Sequence, residues 1–335
     1  MPRALGLRVI LAEAEQRRKS LIDQGVLRAD LRIRREGDSI ILPLKGPVPG
    51  IEGLEEMEFE ASRASPKKYQ DLAQLPPELR RLLPTSFDTI GEILVLHLPE
   101  LLRPYRRDIG RALLQANGHA RTVCLDRGVR GEERVRDVEV IAGEENTQTT
   151  YQEFGLRIAV DVARAFVSPR LANEHRRVAG KVQRGEVVAD LFCGVGGFAL
   201  MIAKMGQAAK IYAIDNNPSA LELLEKSLRM NRLSGVELVT GDARELWRHL
   251  PPLHRVILDF PQGDFFSVGL EALRTAGALH YYRVLREEDR ERFVESLLEE
   301  AEWRGYEITL DHVKPVRAYA PGKNIYGMDF TVRKR

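Results

Sequence analysis

Three aspartates each close a strand-like run: Asp190 after VVA, Asp215 after KIYAI and Asp242 after VELVTG. Behind the first comes a glycine-rich loop, DLFCGVGGFA, and then an apolar helical pattern. A strand, a glycine loop and a helix N-terminus bring backbone N–H groups up to a nucleotide-type cofactor. GVGGFA even satisfies the G-x-G-x-x-A form of a dinucleotide fingerprint. In a dinucleotide fold, however, the first glycine follows the strand almost at once. Here Asp190 comes first, with Gly194 and Gly196 after it. A carboxylate at that strand end accepts hydrogen bonds from a cationic amine, which NAD lacks and S-adenosylmethionine carries together with its sulfonium. Asp215 ends the next strand, where a carboxylate takes both ribose hydroxyls, and Asp242 ends the third, where it meets the adenine edge. Phe192, Asn216 and Ala243, beside these acids, complete the expected cofactor-binding set. Each acid alone is an ordinary cap or loop residue. Three at successive strand ends line one crevice and point to an adenosylmethionine site in a class I methyltransferase-like fold.

A second group of residues suits the acceptor. The strand pattern HRVILDFPQGDFF ends in Asp259-Phe260-Pro261. Enzymes that methylate amino or ring nitrogens of bases place Asn or Asp followed by Pro at this strand end. The polar side chain and a nearby carbonyl grip N–H groups of the acceptor. Taken alone, D-x-P also reads as a plain strand-to-loop turn. Upstream, FVSPRLANEHRRV is dense in charge, and its Arg170, Glu174, Arg176 and Arg177 also suit a solvated helix face.

These residues need elements to hold them. From about residue 150, strand patterns (EVVADLF, KIYAID, GVELVTGD, HRVILDF, GALHYYRV, YEITLDHVKPV, IYGMDFTVR) alternate with helical ones. That alternation predicts a mainly parallel sheet with helices on both faces. Residues 1–60 read as a small α+β domain: strand LGLRVIL, helix AEAEQRRKSLIDQGVL, then strands DSIILPLKG and EEMEFEA. The proline-bearing stretch 61–85 reads as a linker with one short helix, 86–155 as an intermediate α+β region, and 156–335 as the catalytic domain. With 335 residues, 44% hydrophobic and 30% charged, the chain has material for two or three folded domains rather than for disorder. The net charge of +2 does not announce nucleic acid, although arginines cluster locally, as in RPYRRDIGR. Two cysteines, Cys124 and Cys193, with no CxxC and no ligand-spaced His/Cys cluster, point to a reducing compartment and no metal site. No run approaches the length of a membrane span and no signal-peptide pattern opens the chain, so a cytoplasmic protein is expected.

The segments RVRDVEVIAGE, EFGLRIAVDVARAFVSPRLANEHRRV, DLFCGVGGF, YAIDNNP, GDARE, GALHYYRV and AYAP follow one another from Arg134 to Pro321. In that order they resemble the archaeal and eukaryotic tRNA (guanine-N1)-methyltransferases, which modify the guanine 3′ of the anticodon, position 37. The SPRL..E element is the most specific of them. The resemblance implies an α/β, class I (Rossmann-like) S-adenosylmethionine-dependent methyltransferase domain, a small N-terminal α+β domain and an intermediate α+β RNA-binding region. It implies tRNA as partner, through the anticodon loop and the elbow, and a monomer without metal or membrane. Guanine N1 carries a proton at neutral pH, so a base must remove it while charge shifts to O6. The resemblance assigns the base to Glu174 and the O6-stabilising arginine to Arg134, with Asp259 as the third catalytic position. Phe166, Arg170, His175 and Pro261 fall at substrate-binding positions. Three residues depart from the family pattern. Asp259 stands where Asn is usual; it accepts from N1–H or the exocyclic amine but cannot donate to O6, and as a second carboxylate near Glu174 it would raise the base's pKa. His175 follows the glutamate where Arg is usual, and Phe154 stands where Asn is common. Alternatives are a wyosine-pathway methyl or aminocarboxypropyl transferase, and a tRNA-binding relative that has lost catalysis.

Overall fold

The protein's computed structural model describes residues 2–28, 30–61, 68–131 and 135–335. The chain divides into two compact units, Met1–Leu72 and Ala73–Arg335. The first contains β1 (Arg3–Ile10), α1 (Leu11–Asp23), β2 (Arg34–Glu36), β3 (Ser39–Leu44), β4 (Glu55–Glu58) and the short α2 (Tyr69–Leu72). Its sheet runs β2-β3-β1-β4. Alternation sends Leu7, Val9, Leu42 and Leu44 to one face, against Leu21 of α1, and Ala4 and Ile41 to the other, against Leu31 and Phe59. Pro43 is tolerated in β3 because β2 pairs only with residues 39–41, leaving that side of Pro43 outside the ladder.

The second unit opens with a sheet of β5 (Asp88–Ile90), β6 (Ile93–Leu96), β7 (Thr122–Arg130) and β8 (Val135–Gly143), with α3 (Arg106–Ala116) packed on β7 and β8. A hairpin of β9 (Gln148–Glu153) and β10 (Leu156–Asp161) follows, its two-residue turn formed by Phe154 and Gly155. Such turns need positive φ, which Asn and Gly adopt readily. Phe154 is held at φ +45° while Lys204 Nζ donates to its carbonyl at 2.7 Å and the Arg176 guanidinium lies 4.8 Å from its ring centre.

The catalytic-type sheet comes next. Its elements are α4 (Ala172–Ala179), β11 (Val187–Asp190), α5 (Gly197–Met205), β12 (Lys210–Asp215), α6 (Pro218–Asn231), β13 (Val236–Thr240), α7 (Ala243–Leu246), β14 (Arg255–Leu258), α8 (Phe266–Leu273), β15 (Ala276–Leu285), α9 (Arg290–Trp303), β16 (Tyr306–Ala320) and β17 (Lys323–Lys334). The strand order is β13-β12-β11-β14-β15-β17-β16. Pairings are parallel from β13 to β15, and β17 runs antiparallel to both β15 and β16. The central strands are mostly apolar because both faces are covered. Val188 and Ile257 pack with α4, α5 and α6, while Ala189, Val256 and Leu258 pack with α8 and α9. The expected parallel sheet with helices on both faces is present. The helix α8, FSVGLEAL, is not among the helical patterns expected from the sequence.

The solvated-face reading holds for the exposed Arg170 and Arg176 but is corrected for Glu174 and Arg177. Arg177 donates to both oxygens of Glu174 and both of Asp329 on β17, at 2.5–3.0 Å. Asp329 also accepts from Lys181 at 2.7 Å and bonds His280 Nδ1 at 2.6 Å. His280 Nε2 meets Arg255 Nη1 at 2.8 Å, and Arg255 closes the chain on Glu186. Arg255 is a permanent donor, so His280 is neutral with its proton on Nδ1, in line with a pKa lowered chiefly by burial. This buried line of charge ties the helix bearing the SPRL..E element to β14, β15 and β17.

Burial alone would raise the Asp329 carboxyl, but the bonds from His280, Arg177 and Lys181 hold it well below the ordinary value of 3.8. An acid depressed by folding stabilises above its unfolded pKa and loses that contribution as pH falls towards the folded one. Asp329→Asn should therefore destabilise the protein by about 3–5 kcal/mol near neutral pH. The wild-type–variant difference in urea unfolding should shrink by about 1 kcal/mol near pH 3. A difference that stays constant on acidification would contradict this assignment.

Candidate active site

β11 delivers Asp190, and the chain then turns through a loop only glycines permit. Gly194 and Gly196 sit at φ +51° and +85°, and a Cβ on Gly196 would lie 2.2 Å from Leu224 Cδ1. The turn aims the Gly194 N–H at Asp215 Oδ2, 2.7 Å away, while the Asn217 N–H holds Oδ1 at 2.9 Å. Asn217 in turn caps α6 through Ser219 and Ala220, with Pro218 at the first helical position. The Asp215 carboxylate is thus fixed at a strand end, beside the glycine loop.

One cavity is lined by Phe166, His175, Phe192, Gly194, Asp215, Asn216, Asp259 and Pro261, all expected site residues. A second, sharing Phe192, Asn216 and Phe260, is lined by Asp242 and Ala243. Phe192, Phe260 and Phe265 pack with ring centres 4.6–5.5 Å apart at this junction, an apolar slot of the kind a purine enters. Asp242 caps α7 through the Arg244 N–H, and Arg244's guanidinium also grips its carboxylate, lowering its pKa. An adenine amine arriving there competes with that guanidinium.

Asp190 is fully buried, and no side chain among the described residues pairs with its carboxylate. Burial, then the nearby charges of Asp259 and Asp215, push its pKa well up, and the N–H groups of Phe192 and Ala199 offset this only partly. An orphaned buried acid is costly. It is relieved by a positive group, which the amine and sulfonium of S-adenosylmethionine provide, so the residues fit that cofactor. Cys193, also on the wall, has its thiol pKa pushed well up by burial and by Asp190 and Asp215, and stays neutral.

The acceptor residues are distributed differently. Glu174 is 2% exposed and does not line the cavity. Its Oε1 accepts from Arg177 at 2.6 Å and Tyr282 at 2.8 Å, and its Oε2 meets Arg177 at 2.9 Å and Lys314 at 3.2 Å. Burial opposes its charge, but these partners win and its pKa is lowered. Arg170 points to Asp88 at 2.6 Å and is off the cavity wall. Arg134 lies outside the described residues. Two arginines went unremarked in the sequence. Arg136, one strand repeat beyond Arg134, is buried, bonds Asp88 and Asp126, and lies 5.4 Å from the Phe166 ring centre. Arg317, three residues before the AYAP segment's proline-end alanine, lines the cavity and donates to Ser168 at 2.6 Å. Its pKa is lowered by burial, with Asp259 and Asp88 opposing. Only its place beside AYAP signalled it.

The profile described as the TRM5/TYW2 methyltransferase domain matches residues 149–309, the TYW2 N-terminal domain 71–147, and the tRNA methyltransferase 5 N-terminal domain 6–52. The tRNA (guanine(37)-N1)-methyltransferase Trm5b of Pyrococcus abyssi (strain GE5 / Orsay) is 36% identical over 98% of this chain and 99% of its own. The chain belongs to the tRNA (guanine(37)-N1)-methyltransferase family. The family's Trm5b from Methanocaldococcus jannaschii is 31% identical over 99% of both chains. The crystal structure of the P. abyssi protein superposes with a TM-score of 0.76 at 36% identity, covering 98% of this chain and 99% of that one. A solved complex of aTrm5 with tRNALeu superposes at 0.71 and 29% identity, with 98% and 99% covered.

Asp190→Asn replaces a buried acid that has no side-chain partner. It should raise the stability of the cofactor-free protein by about 1–3 kcal/mol while weakening S-adenosylmethionine binding at least tenfold. Thermal unfolding and calorimetric titration check both. A variant that is destabilised without ligand, or that binds normally, would contradict the role given to Asp190.

Proposed function

We infer that this protein methylates N1 of the guanine 3′ of the anticodon in tRNA, using S-adenosylmethionine. The observation that carries this is the full-length kinship with guanine-N1 enzymes, N-terminal unit included. The cavity adds an adenosylmethionine-type crevice continuous with a polar acceptor pocket. Asp215 would hold the ribose, Asp242, Ala243 and the phenylalanine slot the adenine, and Asp190 with the glycine loop the positive tail. When bound, the cofactor supplies an electrophilic methyl on sulfur.

The chain's own work is on the base. Phe166 and Pro261 offer flat apolar surface to a guanine splayed from the anticodon loop. Asp259 accepts from its N–H groups, and Arg317, close by, supplies a donor where negative charge develops. Arg134 is assigned the same O6-stabilising task. Glu174 takes the N1 proton. Three hydrogen bonds and the Lys314 ion pair occupy its two oxygens, so one partner must yield first. Lys314, whose side chain is 37% exposed, is the most weakly held of them. Arg170 and the arginines of 86–155 serve phosphate contacts, residues 1–60 serve the elbow beyond a 61–85 linker, and the protein works as a cytoplasmic monomer. Among the described residues no helix is long and apolar enough to cross a membrane and no group of His, Cys, Asp and Glu is placed to hold a metal ion.

Incubation with labelled S-adenosylmethionine and unmodified transcripts carrying G or A at position 37 should label the G transcript alone. No label, with tRNA still bound, would favour the non-catalytic reading. Glu174→Gln should slow single-turnover transfer about 100-fold or more with cofactor binding little changed; an unchanged rate would remove Glu174 as the base. Asp259→Asn should keep or raise the rate, since Asn both accepts and donates. A collapse would show that the aspartate has a task of its own.

A further inference from the structure

The carboxylate of Glu174 rests against a glycine. The register of the sheet sets Tyr282 of β15 and Lys314 of β16 on either side of Gly327 in β17. Cross-strand neighbours share a face, so the three form one row, and Glu174 of α4 lies over its middle. A Cβ on Gly327 would lie 3.1 Å from Glu174 Oε1 and 2.9 Å from Tyr282 Cε1. Gly327 is not at a positive φ, so it is there for space rather than for backbone freedom. Into that space come the carboxylate and the phenol ring, and the Tyr282 hydroxyl donates to Oε1 at 2.8 Å. Tyr282 is 1% exposed, and its ring packs on Phe198 of α5 with 5.6 Å between centres. Burial, then the charges of Glu174 and Asp259, push the phenol's pKa well up, so it keeps its proton and serves as a donor.

The two oxygens of Glu174 are held unequally. Oε1 takes Arg177 at 2.6 Å and Tyr282 at 2.8 Å, while Oε2 takes Arg177 at 2.9 Å and Lys314 at 3.2 Å. Arg177 is anchored in turn by Asp329, two residues beyond Gly327 on the same face of β17, which also takes Lys181. Among these donors Tyr282 is the neutral one. A hydroxyl bonds the carbonyl oxygen of a neutral carboxyl as well as a carboxylate oxygen, so this bond survives when the other oxygen gains a proton. We propose that Tyr282, in the space left by Gly327, positions Glu174 by holding Oε1 throughout the reaction, so that Oε2 takes the guanine N1 proton. The inference rests on Glu174 as the base proposed above. The N1–H bond breaks with its electron pair left on N1 for the incoming methyl, and the proton ends on Oε2, where the Lys314 contact gives way. Tyr282 does not line the cavity; it acts through Glu174 and is a positioning residue.

Tyr282→Phe keeps the ring and deletes the bond. Single-turnover transfer by the full chain, at saturating S-adenosylmethionine and an unmodified transcript with G at position 37, should slow about 10-fold or more. Both dissociation constants should change less than about twofold. The lost donor served the charged form of Glu174, so the pKa of that carboxyl rises. The acid limb of the pH–rate profile, where Glu174 gains its proton, should therefore move to higher pH. Gly327→Ala, which crowds both groups, should slow transfer likewise with cofactor affinity unchanged. It carries the test if circular dichroism shows the Tyr282→Phe protein unfolded, and an unchanged rate there would then sink the idea. An acid limb left in place in the folded Tyr282→Phe protein, or a loss confined to binding, would overturn the proposal. If Glu174→Gln transfers at the wild-type rate, the base assignment falls instead.

Discussion

The contact on which the site depends is the Gly194 N–H on Asp215, 2.7 Å across the ends of two parallel strands. It exists because Gly194 and Gly196 take left-handed conformations and bend the chain sharply out of β11. The bend starts α5 where His175 packs on Gly197, and leaves Leu224 of α6 against Gly196. It also fixes the Asp215 carboxylate at the strand end. One backbone geometry therefore sets the cofactor acid, the α5 N-terminus and the packing of two helices together. A side chain at either glycine would disturb all three.

Around that loop the electrostatics are arranged by sign. The strand ends gather carboxylates, one of them orphaned and pushed towards neutrality. α4 carries the opposite logic: its glutamate is saturated by cations and by a tyrosine, and its arginine is shared with a buried aspartate across the sheet. The first arrangement is costly until a cation arrives. The second holds a strong ion pair, and the proposed proton transfer to the glutamate requires it to loosen. Binding of donor and acceptor thus relieves a strain in one place and competes with a stabilising contact in the other, and the two effects act on neighbouring elements.

Much of the donor half was legible in the sequence. β11, β12 and β14 are short apolar runs ending in acids, and the chemistry of an acid before glycines separates the two candidate cofactors. What did not show was each acid's condition: Asp190 lies beneath the wall rather than on it, and Asp242 is held by Arg244 two residues on. The acceptor half was legible only through SPRL..E. Glu174's pairing with Arg177 is a local, one-turn contact that spacing could have suggested. Its partner Tyr282 lies 108 residues away, and Arg177's partner Asp329 lies 152 away, distances that only the sheet topology closes. Arg317 entered the cavity by the same route, from an antiparallel strand pair whose register shifts near it. α8 carries few polar residues to mark a solvated face: Phe266, Gly269, Leu270, Ala272 and Leu273 of its eight residues are buried. Phe154 shows the reverse case, where a residue poorly suited to its turn is held by Lys204 and Arg176.

The central claim is that donor and acceptor meet in one crevice and that the acceptor atom is guanine N1. Nucleoside analysis of an unmodified tRNA bearing G at position 37, after reaction with the protein and S-adenosylmethionine, tests it most directly. The account predicts N1-methylguanosine as the sole new nucleoside. A methyl on another atom, an aminocarboxypropyl adduct, or unaltered guanosine would contradict it.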